Sequence, residues 1–377
     1  DNPRLTHDIL VNEAQFIDAK NQNTSPLLSD YVVVEVTDFP SVSMPAKGRI
    51  SELLGEPLAP GLEIELALRR YDIPHEWPKA VIAEASTLGA EPKEKDKKHR
   101  VDLRELPLVT IDGEDARDFD DAISLEQIEN GHWKLGVHIA DVSHYVRPGT
   151  KLEAEAFNRA TSVYLVDRTI PMLPEKLSNG LCSLRPNEDK LVFSAVFELN
   201  ENAEIQKEWF GRCIIHSDRR FAYEQAQDLL DAESSSEEDK PYFDSLKKYN
   251  ELAKILKKKR FANGAINFET AETKFHLDSE GKPLGVYQKV RKDAHKLIEE
   301  FMLLANKQVA RFVCNLGKEK VSVRAEPRTS DGNKNTMVYR IHEPPNPEKL
   351  DTFSKFAARM GFKVNTYNQN VLSSSLN

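Results

Sequence analysis

The sequence has no run of about 18 apolar residues, so a membrane-spanning helix of ordinary length is not expected. Its start, "DNPRLTHDIL", has no basic stretch followed by an apolar core and does not read as a signal peptide; without an initiating methionine it reads as internal to a longer protein. Cysteine is scarce. Cys182, Cys213 and Cys314 lie far apart and form no CxxC pair, which speaks against structural zinc or a disulfide framework and predicts a reducing, cytoplasmic setting. Positive charge is in deficit, 52 Lys+Arg against 61 Asp+Glu for a net charge of -9, a balance that alone argues against nucleic acid. The basic residues are clustered, however, in "EPKEKDKKHR" (91 to 100) and "KKYNELAKILKKKR" (247 to 260), so charge leaves the partner open. No internal repeat occurs, and the one low-complexity stretch, "SSSEED" (234 to 239), predicts an exposed loop.

At 377 residues the chain predicts two domains. Its first part reads as β. "DYVVVEVTDF" (30 to 39) is rich in β-branched residues, "KGRISELLG" (47 to 55) alternates, and "GLEIELALRRYDI" (61 to 73) places Leu62, Ile64, Leu66 and Leu68 at period two. These short strands predict a small barrel or sandwich over residues 1–75. "HEWPKAVIAEASTLG" reads as a helix and the charged 90–102 as a linker, so that 76–103 joins the domains. From 104 to 377 the pattern is mixed α+β. "LPLVTID" and "HWKLGVHIADVSHYV" read as strands, and "KLEAEAFNRATSVYL" as a helix. "KLVFSAVFELN" with "KEWFGRCIIHS" predicts a hairpin. "RRFAYEQAQDLLDA", the segment ending at Asn263-Gly264, and "KDAHKLIEEFMLLANKQVARFV" predict helices, whereas "AINFETAETKFHL" predicts a strand. "NQNVLSSSLN" shows no terminal element, and the chain is expected to be a fragment.

The chemistry concentrates in "TIDGEDARDFDDAISL" (110 to 125), where Asp112, Asp118, Asp120 and Asp121 stand among Ala116 and Phe119 between two apolar stretches. Like charges at the edge of a core are costly unless a positive group compensates. A solvated loop is the plain alternative. An EF-hand fails, because no register from Asp112, Asp115 or Asp118 gives oxygen ligands at 1, 3 and 5 with Gly at 6. Carboxylates alone suit Mg²⁺ or Mn²⁺ that keep waters and meet a substrate phosphate, which favours a metal-dependent phosphoryl hydrolase over a structural acidic loop. His138 and His144, six apart on a strand with no Cys nearby, read as structural rather than zinc ligands.

"TIDGEDARDFDDA" resembles the signature of the catalytic domain of the ribonuclease II/ribonuclease R family of 3′→5′ exoribonucleases. "GVHIADVSHYV", "IPMLPEKLSNGLCSLRPNEDKLVFS", "RKDAHKLIEEFMLLAN" and "VYRIHEPPNPEKL" follow in family order. The β-rich start resembles the family's second cold-shock, OB-type domain, on the ribonuclease R side. The resemblance implies an OB-type cold-shock barrel followed by an α+β catalytic domain that hydrolyses RNA to 5′-nucleoside monophosphates. It also implies a Mg²⁺ or Mn²⁺ cofactor and the 3′ end of single-stranded RNA as partner, with a monomer expected and no membrane or lipid partner.

By motif position it assigns Asp112, Asp118 and Asp121 to metal binding and Asp120 to cleavage itself, while Glu114 and Asp115 are solvated or capping. It gives Tyr164 and Phe268 the stacking of bases and Glu299 the terminal ribose. From the residues alone, Tyr164 reads first as a core tyrosine, Phe275 competes with Phe268, and Glu300 with Glu299. Arg340 and His342 are candidate RNA-backbone contacts. Residues 321–337 are longer and more polar than the family leads one to expect. The chain also contains neither the family's Ser-Pro-Ile-Arg-Arg-Tyr-type motif nor an S1 domain. A catalytically impaired RNA-binding piece, and a metal-dependent nuclease of other specificity, therefore stand as alternatives.

Overall fold

The computed structural model describes residues 8–11, 29–41, 43–266, 272–279, 281–315 and 343–376, with only the backbone at 369 and 370. In chain order the strands are β1 (Ile9–Val11), β2 (Tyr31–Asp38), β3 (Ala46–Gly55), β4 (Val101–Asp102), β5 (Leu108–Asp112), β6 (Asp121–Gln127), β7 (Trp133–Ala140), β8 (Val163–Tyr164), β9 (Thr169–Ile170), β10 (Asp189–Leu199), β11 (Ile205–His216), β12 (Arg219–Ala222), β13 (Glu272–Leu277) and β14 (Pro283–Lys289). The helices are α1 (Leu62–Arg70), α2 (Lys79–Thr87), α3 (Glu94–Lys97), α4 (Val142–Tyr145), α5 (Lys151–Arg159), α6 (Tyr223–Asp231), α7 (Lys240–Ala262), α8 (Asp293–Asn315), α9 (Pro347–Arg359) and α10 (Gln369–Leu376). They form two units: Asp1–Glu84 with Gly149–Pro174 and Ala271–Lys289, and Ala85–Pro148 with Glu175–Thr270 and Val290–Asn377.

In the first unit, β1, β3 and β2 form a sheet in that order. Ala46, Gly48 and Ile50 of β3 are buried while Lys47 and Arg49 are exposed, the period-two pattern of a strand with one covered face. A Cβ at Gly48 would come within 2.4 Å of Val34 Cγ1, so any larger residue there would have to displace Val34. The third expected strand is instead α1. Its alternating Leu and Glu fit a strand by period, but Leu, Glu, Ala and Arg are all strong helix formers. Glu63 and Glu65 in the first turn and Arg69 and Arg70 in the last complement the helix dipole. Arg69 then ties the helix to β3 through both Glu52 oxygens, at 3.1 and 2.6 Å.

In the second unit a seven-stranded mixed sheet runs β12-β5-β6-β7-β10-β11-β4. The outer pairs β12–β5 and β11–β4 are parallel and the rest antiparallel. Tyr249 and Leu252 of α7 and Leu297 and Phe301 of α8 share one core with Ile111, Ile123, Leu135, Val137, Phe197 and Phe221 of the strands. Five segments differ from the sequence expectation. "HWKLGVHIADVSHYV" leaves its strand at Ala140 for the short helix α4, which carries His144. "KLEAEAFNRATSVYL" is helical only to Arg159 and ends in β8. "RRFAYEQAQDLLDA" begins as β12 before turning into α6, because Phe221 is drawn into the sheet core. The expected linker carries α3 and β4, and Arg100 is buried against Asp141 at 2.7 Å. "NQNVLSSSLN" contains the short helix α10.

His138 is fully enclosed at the centre of this sheet. Its Nε2 meets Ser124 Oγ at 2.9 Å and its Nδ1 meets Ser194 Oγ at 2.8 Å. Gly136 makes room, since a Cβ there would lie 2.3 Å from Ser124 Oγ. The ring is structural, as expected, and burial pushes its pKa down to about 3. A histidine with a depressed folded pKa stabilises above its unfolded value near 6.5 and ceases to do so as pH falls, because only the unfolded chain then takes up the proton. Between pH 6.5 and 5 this should cost about 2 kcal/mol of unfolding free energy. Urea titrations at the two pH values measure it as the part of the pH dependence that His138→Gln loses; equal dependence in both proteins contradicts it.

Candidate active site

β5 and β6 are antiparallel neighbours, with Val109 opposite Ile123, so the end of one strand and the start of the next lie side by side. Asp112 closes β5, Asp121 opens β6, and the loop between them carries Asp118 and Asp120. Ile111, Phe119 and Ala122 are buried and hold this acidic loop against the core. Glu114 and Asp115 are exposed, as expected of residues outside the cluster.

The field at the loop is strongly negative. Asp112 is pushed up to about 7 by burial, then by Asp121, with smaller contributions from Asp118 and Asp120; Arg220 opposes the rise. Asp121 is raised to about 6 by burial and Asp120. Asp120 is more open to solvent, yet partial burial and the charge of Asp118 still raise it. Asp112 Oδ2 is buried and has no hydrogen-bond partner. A buried carboxylate oxygen without a donor, facing other carboxylates, is the arrangement a hard cation relieves. Among the described residues no three acidic, imidazole or thiol groups are arranged to ligate one ion as they stand. Mg²⁺ is commonly held by one or two carboxylates and otherwise by water and phosphate, so this donor set fits it.

Two residues that sequence reading passed over belong to this site. β12 runs parallel to β5, with Arg220 opposite Thr110 and Ala222 opposite Asp112. From there Arg220 Nη2 donates to the carbonyls of Gly113 and Glu114, at 2.6 and 2.7 Å. Tyr223, the next residue after β12, stacks on His295 at 4.0 Å, and its hydroxyl is pushed up to about 12 by burial and the charges of Asp112 and Asp121.

Glu299 and Glu300 separate clearly. Glu300 is 4% exposed and takes a two-pronged contact from Arg260, with the Nη2 hydrogen bond at 2.5 Å. Glu299 is 34% exposed, paired with Arg291, and lies 3.7 Å from Arg260. Glu300→Ala strands the Arg260 charge and should cost about 2–3 kcal/mol of stability, less than a fully buried pair because Arg260 reaches solvent. Glu299→Ala should cost about 1 kcal/mol or less. Chemical denaturation of both variants checks this, and equal losses would contradict it. Tyr164 lies in the first unit on the β8–β9 hairpin and is 68% exposed, not a core residue. Phe275, in β13, is 42% exposed. Phe268, Arg340 and His342 lie outside the described residues.

Two family models match the chain, the RNB domain over residues 100–377 and the cold shock domain over residues 1–78. Ribonuclease R of Vibrio parahaemolyticus is 41% identical over 365 residues, covering 97% of this chain and 41% of that protein. Ribonuclease R of Escherichia coli is 40% identical over the same length, covering 97% and 42%. The solved structure of Mycoplasma genitalium RNase R in complex with ribose methylated single-stranded RNA superposes with a TM-score of 0.84 at 27% identity. That match covers 100% of this chain and 56% of the other. The chain thus spans about two-fifths of the length of these curated relatives.

Proposed function

The chain belongs to the RNB-domain family of ribonucleases, with a cold-shock domain ahead of the catalytic one, and from that premise we propose that it removes 5′-nucleoside monophosphates from the 3′ end of single-stranded RNA with Mg²⁺ or Mn²⁺. The observation that carries this reading is the crowding of like charges that raises Asp112 and Asp121, with the unpartnered Oδ2 of Asp112. Asp112, Asp118 and Asp121 would hold the cation, one or two of them directly and the rest through its bound water. A bound Mg²⁺ or Mn²⁺ supplies charge stabilisation at the scissile phosphate. Asp120, whose raised carboxyl suits it to accept a proton nearer neutral pH, takes the proton of the attacking water on a carboxylate oxygen. The 3′ oxygen of the shortened RNA leaves with a proton, and water is consumed for each nucleotide released. Arg220 keeps the 113–114 end of the loop in place. Glu299, partly open to solvent, is the proposed ribose contact.

Tyr164 and Phe268 are proposed to stack on bases, an interaction worth about 1–3 kcal/mol per base and indifferent to sequence. Tyr164→Ala should therefore change the length of the final undigested oligonucleotide, visible on a sequencing gel; an unchanged end product removes Tyr164 from RNA contact. The three cysteines are free, which suits a reducing cytoplasm, and among the described residues no helix is long and apolar enough to cross a membrane. The proposed unit of action is the monomer.

The deciding experiment is a time course with 5′-labelled poly(A) in Mg²⁺ or in EDTA. A ladder shortening from the 3′ end in Mg²⁺ alone supports the proposal. RNA binding without cleavage favours the RNA-binding reading of this chain, and equal cleavage of matched DNA favours a nuclease of broader specificity.

A further inference from the structure

Arg220 holds the 113–114 end of the acidic loop, but the part that carries Asp118 is held by a neutral group. Ser183 is fully enclosed, and its hydroxyl both accepts from the Phe119 N–H at 3.1 Å and donates to the Arg117 carbonyl at 2.7 Å. One oxygen thus ties the peptide groups on either side of Asp118. Immediately beside it the Leu184 N–H donates to the Phe119 carbonyl at 2.8 Å, so residues 183 and 184 grip Phe119 at both its N–H and its C=O.

Ser183 is itself fixed from behind. It follows the single π-helical turn Leu177–Leu181, and its N–H donates to the Gly180 carbonyl at 3.2 Å. The same carbonyl accepts from Lys190 Nζ at 2.6 Å, and Lys190 is buried and paired with Glu188 at 2.8 Å. The insertion that makes a π-turn shifts the following residues relative to a regular helix, and such turns recur where a side chain must be aimed.

We propose that Ser183 is a positioning residue for the aspartate set, fixing Asp118 and Asp120 for a divalent cation and the scissile phosphate; this deepens the proposed function and rests on it. Four carboxylates that repel one another press their loop to open. A cationic clamp at Ser183 would oppose that only by neutralising charge the metal needs. A hydroxyl bonded to backbone holds the like charges together and leaves their field intact. Sites of this kind work only when the first groups are held to within about half an ångström by a supporting layer.

The test is Mn²⁺ binding by calorimetry on the whole chain without RNA, alongside thermal melting and RNA cleavage. Ser183→Ala should bind Mn²⁺ about 10–100-fold more weakly, the loss typical of a missing support group behind a metal ligand. Its affinity for RNA in EDTA should stay unchanged while kcat falls. Ser183→Thr keeps the hydroxyl but adds a methyl to a closed space, so it should melt lower yet hold Mn²⁺ within about threefold of wild type, a split a purely structural role does not produce. Ser194→Ala removes a buried hydroxyl from His138 instead; it should melt lower with Mn²⁺ affinity unaltered. Mn²⁺ affinity in Ser183→Ala within threefold of wild type, or losses in all three variants that merely follow their melting temperatures, overturns the proposal. If wild type binds Mn²⁺ without degrading RNA, the function reading fails while the Mn²⁺ comparison still decides the role of Ser183. If wild type binds no Mn²⁺, both are overturned.

Discussion

Asp120→Asn is expected to bind single-stranded RNA within about threefold of wild type and to cleave it about 10²–10⁴-fold more slowly, the range in which a positioned acid–base group contributes to a rate. Asn has nearly the shape of Asp, so the backbone around it, with the Asp120 carbonyl accepting from Ala140 N–H at 3.0 Å, should be undisturbed. What the variant loses is an oxygen able to accept a proton. The raised carboxyl reflects partial burial and the neighbouring charge of Asp118, and both shift the group in the direction that makes it a better proton acceptor. Removing one negative charge from a crowded acidic loop should also ease the approach of phosphate, so weaker RNA binding is not expected. Gel-shift affinity in EDTA and single-turnover cleavage in Mg²⁺ separate the two effects. Parallel loss of binding and cleavage would assign Asp120 to holding substrate; unchanged cleavage would remove it from the reaction.

The aspartates were legible in the sequence because their setting is local: an apolar strand, the acids, and another apolar stretch within 16 residues. Arg220 and Tyr223 were not, because what brings them to Asp112 is a parallel strand pair between residues more than a hundred positions apart. Their segment, "RRFAYEQAQDLLDA", carries helical periodicity, and only the pull of Phe221 into the sheet core turns its start into a strand. The misread α1 has the opposite cause. Apolar residues at every second position satisfy both periods over so short a segment, nine residues, and side-chain partners such as Glu52 for Arg69 decide between them. Glu299 and Glu300 are adjacent and identical in type, so no pattern could separate them; burial against Arg260 does. Ser183 offered no signal at all, since a serine in a motif says nothing about which backbone groups its hydroxyl will meet.

Asp112→Asn should make the metal-free protein more stable while abolishing its stabilisation by divalent cations. In the folded chain the Asp112 carboxyl titrates at about 7, against about 3.9 when unfolded. A carboxyl raised by folding stabilises below its unfolded value and costs stability as pH climbs through the folded one, since the folded state must then give up a proton it holds more tightly. The loss amounts to about 1.4 kcal/mol per pH unit and approaches about 4 kcal/mol by pH 8, somewhat less because the side chain is not fully enclosed. Asparagine carries no charge to desolvate and brings an N–H₂ donor where Asp112 Oδ2 has no partner and Asp121 supplies acceptors. Urea titrations in EDTA at pH 8 should therefore show the variant about 2–4 kcal/mol more stable than wild type, with the gap closing toward pH 5. Mg²⁺ offsets this gap. At a hundred times its dissociation constant a ligand adds about 2.7 kcal/mol to a folded state that alone can bind it, and wild type should gain this while the variant does not. A variant less stable than wild type in EDTA at pH 8 would mean that Asp112 is compensated within the protein. A variant that Mg²⁺ stabilises as well as wild type would place the cation elsewhere. The expected result means that this loop is kept at a cost to the fold, because the charge that destabilises it is the charge that binds the cation.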